Sequence, residues 1–207
     1  MTRKALALKH FKHVDPHFYT ATLAHHEALR AELSSKRTRK EFFEALVGIV
    51  TSQQLGTKAA DSIFKRVKEA CKGDLTSLSI LKIKEEKLRG AGLSAAKVKT
   101  LKEIAKAVRN NSLDLLSLKN MPEEEAAEKL MIIWGLGPWS VEMFLMFALG
   151  REDVFSPGDL GLMRSVETIY KLPKGASRET LLAITNKWSP YRTYASLLLW
   201  RTRDVKN

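Results

Sequence analysis

Apolar residues recur at the 3.6-residue period of an α-helix along most of this chain, and no convincing strand-like alternation interrupts them. Phe43, Leu46, Val47 and Val50 make one stripe; Ile63, Phe64 and Val67 make a second. Val98, Leu101, Ile104, Ala105 and Val108 make a third, opened by Ser94 as N-cap after Gly92. Pro122 followed by Glu123, Glu124 and Glu125 marks another helix start, because anions suit the positive end of a helix. That helix carries Leu130 and Ile133 and should stop at Gly135, with the next running from near Ser140 to near Gly150. The tail repeats the pattern with Leu181, Leu182, Ile184 and Trp188, then Pro190, then Tyr191 to Trp200. The expectation is an all-α fold of roughly ten helices, without solenoid repeats or low-complexity segments.

Composition narrows the partner. The 207 residues suffice for one large helical domain or two small lobes, and 44% hydrophobic content allows a packed core. Lys and Arg number 35 against 23 Asp and Glu, a net charge of +12, which points to a polyanion: nucleic acid before an anionic membrane. No apolar run approaches the roughly 20 residues of a membrane span. The N-terminal MTRKALALKHFKH has too short an apolar stretch for a signal peptide. Cys71 is the only cysteine, which excludes an internal disulfide framework, a cysteine-ligated zinc site and a four-cysteine iron–sulfur cluster; an intracellular setting fits. His10, His13, His17, His25 and His26 lack an accompanying carboxylate cluster and read as surface or core residues.

The informative segment is LMIIWGLGPWSVEMFLMFALG, residues 130–150. Two helices are joined by Gly135-Leu136-Gly137-Pro138, where each glycine permits a tight or positive-φ turn and Pro138 suits a first helical turn. Such a turn aims backbone N–H groups outward at a helix N-terminus, where a DNA phosphate fits. Farther on, Asp159 follows Ser156-Pro157-Gly158 and precedes the apolar pattern Leu160, Leu162, Val166 and Ile169, so it reads as an N-cap. Glu152 and Asp153, earlier in that loop, read as solvated. Gln53 and Gln54 end an apolar helix pattern; adjacent amides point in different directions, so at least one leaves the core, while Leu55 reads as core.

Taken with Thr51-Ser52-Gln53-Gln54-Leu55, Lys58-Ala59-Ala60, Gly92 to Lys97 and Trp188 to Trp200, these stretches resemble the helix-hairpin-helix DNA glycosylase (HhH-GPD) superfamily. More narrowly they are similar to its 3-methyladenine DNA glycosylase II branch. The resemblance runs in order from about residue 42 to 201. It implies two helical lobes around a DNA-binding cleft: one of residues 38–150, the other combining 1–37 with 151–207, with the basic stretch Lys36 to Lys40 between them. It implies a monofunctional enzyme that flips an alkylated purine out of double-stranded DNA and hydrolyses its bond to deoxyribose, with no required cofactor and with double-stranded DNA containing damaged bases as partner; a monomer is expected. The alternative is a catalytically weak or inert lesion-binding or abasic-site-binding protein on the same scaffold.

Residue roles follow from the resemblance. Asp159 becomes the catalytic carboxylate, which stabilises the cationic sugar or activates water as the base leaves. Trp139 stands where bifunctional relatives carry a nucleophilic lysine; an indole cannot attack, but it can wall a pocket and attract a cationic alkylated base. Gln53 joins the base pocket, Gln54 lies near the lesion or opposite strand, and Leu55 becomes the wedge that fills the gap left by the flipped nucleotide. Ser94 and Lys97 match a second phosphate-contacting turn, beside Gly135, Gly137 and Trp139 at the hairpin. Carbonyls of Met131, Ile133 and Leu136 are implied to hold a K⁺ or Na⁺. Departures from the family pattern are Gly56, Gly158 and Gly161; the last is expected to loosen the helix after Asp159, and all three bear on substrate range and catalytic power.

Overall fold

The structure, a computed structural model, describes residues 1–30, 33 and 37–204; Lys36 of the basic stretch lies outside them. Among the described residues the regular structure is helical, as expected, with twelve α-helices. In chain order these are α1 (Arg3–Val14), α2 (Pro16–Ala21), α3 (Arg39–Ser52), α4 (Thr57–Ala70), α5 (Ser77–Lys82) and α6 (Glu85–Gly90). There follow α7 (Ala95–Arg109), α8 (Glu123–Met131), α9 (Pro138–Phe147), α10 (Leu160–Ile169), α11 (Arg178–Thr185) and α12 (Arg192–Asp204). None is long and apolar enough to cross a membrane. The chain divides into two compact units: residues 34–149, and residues 1–33 with 150–207.

In the continuous unit, α3 starts at a reciprocal capping box. The Thr38 side chain accepts from the Glu41 N–H, and the Glu41 carboxylate accepts from the Thr38 N–H at 2.6 Å. These hydrogen bonds hold the Glu41 carboxyl below its usual range. Phe42, Leu46, Val47 and Val50 then face inward and are buried, as are Leu101, Ile104 and Ala105 of α7 and Phe144 of α9. Each such large side chain contributes about 1.5–3 kcal/mol by leaving water.

The hairpin helices differ from the periodicity reading at their ends. α8 stops at Met131 rather than Gly135, because the chain must turn through residues 132–137; Ile133 is buried from within that turn. α9 begins at Pro138 rather than Ser140, since the fixed φ of proline and its missing N–H both suit a first helical position, and it ends at Phe147 rather than Gly150.

The discontinuous unit packs Phe11, Phe18, Phe155, Leu162, Val166, Trp188, Tyr194 and Leu198 into one core. Phe18 stacks on Trp188, with ring centroids 4.3 Å apart. Asp15 is buried there and fully used: it caps α2 through the Phe18 N–H at 3.0 Å and accepts from the Trp188 Nε1–H at 3.0 Å and from the Tyr170 hydroxyl. Burial and the Asp15 carboxylate raise the Tyr170 phenol above its ordinary range. His17 contacts the Ile169 carbonyl at 2.8 Å, and His26 is buried against Thr22 at 3.0 Å, so both histidines have structural partners.

Candidate active site

The hairpin turn is organised around Gly135, whose φ is +87°. A Cβ at this position would stand 1.9 Å from the Thr100 Oγ1, so both the backbone angle and the space demand glycine. Gly137 is different. Its φ of −93° and ψ of 178° are extended, open to any residue, and a Cβ there would meet no protein atom within 4 Å. Positive φ is therefore not the reason for glycine at 137. Gly137 serves as N-cap of α9 without a side-chain hydrogen bond, and Trp139, half-buried, sits in the first turn behind it.

The turn before the hairpin exposes apolar surface that sequence reasoning missed. Ile132 is 83% exposed, Trp134 47% and Met131 44%, while only Ile133 of this run is buried. The Lys99 ammonium lies 4.1 Å from the centre of the Trp134 ring. The available signal was the unbroken run Met131-Ile132-Ile133-Trp134: four successive apolar residues cannot all face one side of a helix or tight turn.

One turn is bonded to the hairpin, and a second is bonded to the first. Gln53 ends α3, and its amide nitrogen donates to the Gly135 carbonyl at 3.0 Å and to the Ser140 Oγ at 2.8 Å. Gln54 adopts a left-handed φ of 56° and is exposed, so the two amides do diverge. Leu55 follows at the tip of the α3–α4 turn and is 40% exposed, which corrects its reading as a core residue. The Ser94 side chain caps α7 through the Lys97 N–H at 3.3 Å. The Lys97 ammonium turns inward and donates to the Thr51 and Gln53 carbonyls at 2.9 and 2.8 Å. Burial lowers its pKa. Lys97 is thus neither a solvated lysine nor a wholly outward-facing phosphate contact. Two of its donors satisfy the last carbonyls of α3, which would otherwise lack helical partners.

In the other unit Asp159 is the N-cap of α10, as its position after Gly158 suggests. Its Oδ1 accepts from the Leu162 N–H at 2.9 Å and from the Trp200 Nε1–H of α12 at 3.2 Å. Two rigid elements therefore aim one carboxylate. The loop leading to it is pinned to α12. Asp153 takes the Arg192 guanidinium at 2.8 and 3.0 Å and the Ser189 hydroxyl at 2.7 Å. Burial pushes the Asp153 carboxyl up, but the hydrogen bonds and charge of Arg192, with Ser189, outweigh it and hold the group below its usual range. Thr193 adds bonds to the Arg151 carbonyl at 2.7 Å and from the Val154 N–H at 3.0 Å. Glu152 lies 3.5 Å from Arg3. The solvated reading of Glu152 and Asp153 is corrected: both are ion-paired, and Asp153 anchors the loop.

Gly161 also takes a new meaning. A Cβ there would come within 2.3 Å of the Arg203 Nη1 and 3.0 Å of the Asp159 Oδ1. The glycine does not merely loosen α10; it admits a guanidinium beside the carboxylate. By contrast, Gly56 and Gly158 face open space.

Among the described residues no group of three or more His, Cys, Asp or Glu side chains could hold a metal. Carbonyls of Met131, Ile133 and Leu136 would offer neutral oxygen donors of the kind an alkali cation takes. The Ile133 carbonyl accepts the Leu136 N–H at 3.1 Å and, with two lone pairs, retains capacity for an ion. A cavity of about 500 Å³ opens along α3 beside Arg37, Glu44, Phe64 and Phe147, but none of the candidate catalytic, base-pocket, DNA-binding or cation-site residues lines it.

The turn between α8 and α9, with the start of α9 lacking a side-chain cap, forms a helix-hairpin-helix, and the other unit carries a carboxylate fixed at a helix start. Residues 47–190 match the HhH-GPD superfamily of base excision DNA repair proteins, and the chain belongs to that superfamily. It is 35% identical over 170 residues to DNA-3-methyladenine glycosylase 1 of Schizosaccharomyces pombe, covering 81% of this chain and 75% of that one. A solved structure of S. pombe 3-methyladenine DNA glycosylase with abasic DNA superposes with a TM-score of 0.85 at 31% identity over 96% of both chains. The DNA-3-methyladenine glycosidase structure from Bacillus halodurans gives 0.77 at 32% identity, over 97% of this chain and 90% of that one.

Proposed function

We propose that this chain is a monofunctional DNA glycosylase that removes alkylated purines of the 3-methyladenine type from duplex DNA inside the cell, acting as a monomer. The observation that carries the reading is the Asp159 carboxylate, held at a helix N-terminus by the Leu162 N–H and the Trp200 indole in a chain similar to 3-methyladenine glycosylases. As the glycosidic bond breaks, positive charge develops on the sugar; a fixed anion stabilises it without reorganising. The electrons of that bond leave with the base, and water completes the hydrolysis. A cationic alkylated purine departs readily, so the chemistry asks little of a general acid.

The hairpin supplies the grip. Open space before Gly137 and the uncapped start of α9 suit a phosphate, and the exposed tip from Met131 to Trp134 would lie alongside the backbone. Leu55, exposed at a turn tip, would serve as the wedge, and Trp139 would face the extruded base. A K⁺ or Na⁺ on the carbonyls of Met131, Ile133 and Leu136 would steady the turn. Gln53, committed to the hairpin, supports the pocket more than it reads the base.

The test is single-turnover release from methylated duplex. Asp159→Asn should lower release by about 10²–10³-fold while abasic-DNA binding persists, because shape is kept and charge is lost. Borohydride should trap no covalent adduct with the wild type, since Trp139 offers no amine. Undiminished release from the variant would reduce Asp159 to a cap, and a trapped adduct would establish a nucleophile elsewhere.

A further inference from the structure

We infer that Arg203 is a DNA-binding residue of this site: its guanidinium, lodged over Gly161, grips the phosphate next to the nucleotide presented to Asp159. This rests on the reading of Asp159 as the carboxylate that meets the sugar. Three observations lead to it. First, the Nη1 of Arg203 occupies the space where a side chain at 161 would begin, 2.3 Å from that Cβ position, so the guanidinium and the Asp159 Oδ1 flank the same residue. Second, Arg203 is exposed, so its guanidinium is open to a ligand from solvent. Third, Asp159 is already oriented by the Leu162 N–H and Trp200, so it does not need Arg203 for aim.

The chemistry then selects an anion from the ligand. A guanidinium serving only to neutralise Asp159 would compete with the sugar cation for the same negative charge. A guanidinium gripping a phosphate oxygen pair puts its charge to use outside the carboxylate and fixes the strand where the sugar must sit; its planar fork matches two such oxygens. The helix packing preserves this register. The Ser165 Oγ–H of α10 donates to the Leu199 carbonyl of α12 at 3.0 Å, one turn before Arg203.

The experiment is a titration of a duplex holding a central abasic-site analogue, at several salt concentrations, paired with single-turnover base release. Wild type, Arg203→Ala, Arg203→Lys and Gly161→Ala are compared. Gly161→Ala meets the flexible tip of Arg203 and favours helix, so it should fold while displacing the guanidinium. Arg203→Ala should weaken binding about tenfold and reduce the log–log salt slope by ~0.9, the value for one phosphate. Arg203→Lys should keep the slope but recover only part of the affinity, and Gly161→Ala should resemble Arg203→Ala. In Arg203→Ala the loss should fall on the half-saturating concentration, with the rate recovered at high DNA; Gly161→Ala, whose methyl group also comes 3.0 Å from the Asp159 Oδ1, is compared by binding alone. An unchanged slope in Arg203→Ala overturns the inference, as does a drop confined to the saturated rate, which would make Arg203 a partner of Asp159. If the wild type releases no base yet Arg203→Ala still lowers the slope, the phosphate contact stands and the glycosylase reading falls.

Discussion

Replacing Gly135 by alanine tests how the hairpin is held. The added methyl group is asked to accept a φ of +87° and a position 1.9 Å from the Thr100 Oγ1, with Thr100 Cβ and Cγ2 both at 2.9 Å. The left-handed backbone costs about 1–2 kcal/mol for a residue with a Cβ, and overpacking at a buried contact adds about 1–3 kcal/mol. The sum, roughly 2–5 kcal/mol, is a large part of the about 5–15 kcal/mol that holds a protein folded. For a chain of this size it should lower the melting temperature by about 5–15 °C. Thr100→Gly removes all three colliding atoms but leaves the φ penalty. Circular dichroism melts of the two single variants and the double variant therefore form a cycle in which coupling should reach about 1–3 kcal/mol. The same proteins, titrated with abasic duplex, should lose affinity in parallel with the strain, because Gln53 hangs from the Gly135 carbonyl. If Gly135→Ala melts like the wild type, or shows no coupling to Thr100, the account of the turn is wrong.

Asp153→Asn should cost about 1–3 kcal/mol near neutral pH, as the charge-assisted pair with Arg192 is lost. The Asp153 carboxyl is depressed in the folded state, so its contribution is present above the unfolded value near 4 and fades as pH falls through the folded one; urea melts from pH 7 to 2 should show a shallower acid-side decline in the variant. An identical acid profile would mean that the pair does not stabilise the loop. Lys97→Met keeps the aliphatic stem but strips two α3 carbonyls of their donor, and should destabilise by about 1–3 kcal/mol while loosening the Gln53–Leu55 turn. Hydrogen exchange should speed at that turn; unaltered exchange and stability would return Lys97 to a simple surface role.

Helix content was legible because it rests on local periodicity: every residue of the Val98–Val108 stripe is buried. Gly135 was legible too, since a turn between two helical patterns limits the choice of residue. What escaped were partners far along the chain. Lys97 reads as a surface lysine until α3 is folded against α7, where its ammonium meets carbonyls 44 and 46 residues earlier. Asp153 reads as a loop carboxylate until Arg192, 39 positions on, reaches it through Nε and Nη2. For Gln53 the resemblance implies a place in the base pocket, and what the sequence does not show is the bond its amide nitrogen makes to the hairpin, 82 residues away.

Gly161 shows most directly why local rules mislead near a site. Helix propensity assigns glycine a cost of about 0.5–1 kcal/mol against alanine, and on that basis it looks like a weakness behind Asp159. The cost is real, but propensity describes the residue's own backbone and not the volume beside it. That volume is taken by a side chain 42 positions later, on another helix, whose guanidinium flanks the same residue as the carboxylate that the reaction is proposed to use. A residue that weakens its own helix while making room for a charge is better explained by the charge than by the helix. Alanine at this position should therefore stabilise α10 by a few tenths of a kcal/mol up to about 1 kcal/mol and weaken the grip on DNA, two effects of opposite sign that propensity alone cannot produce.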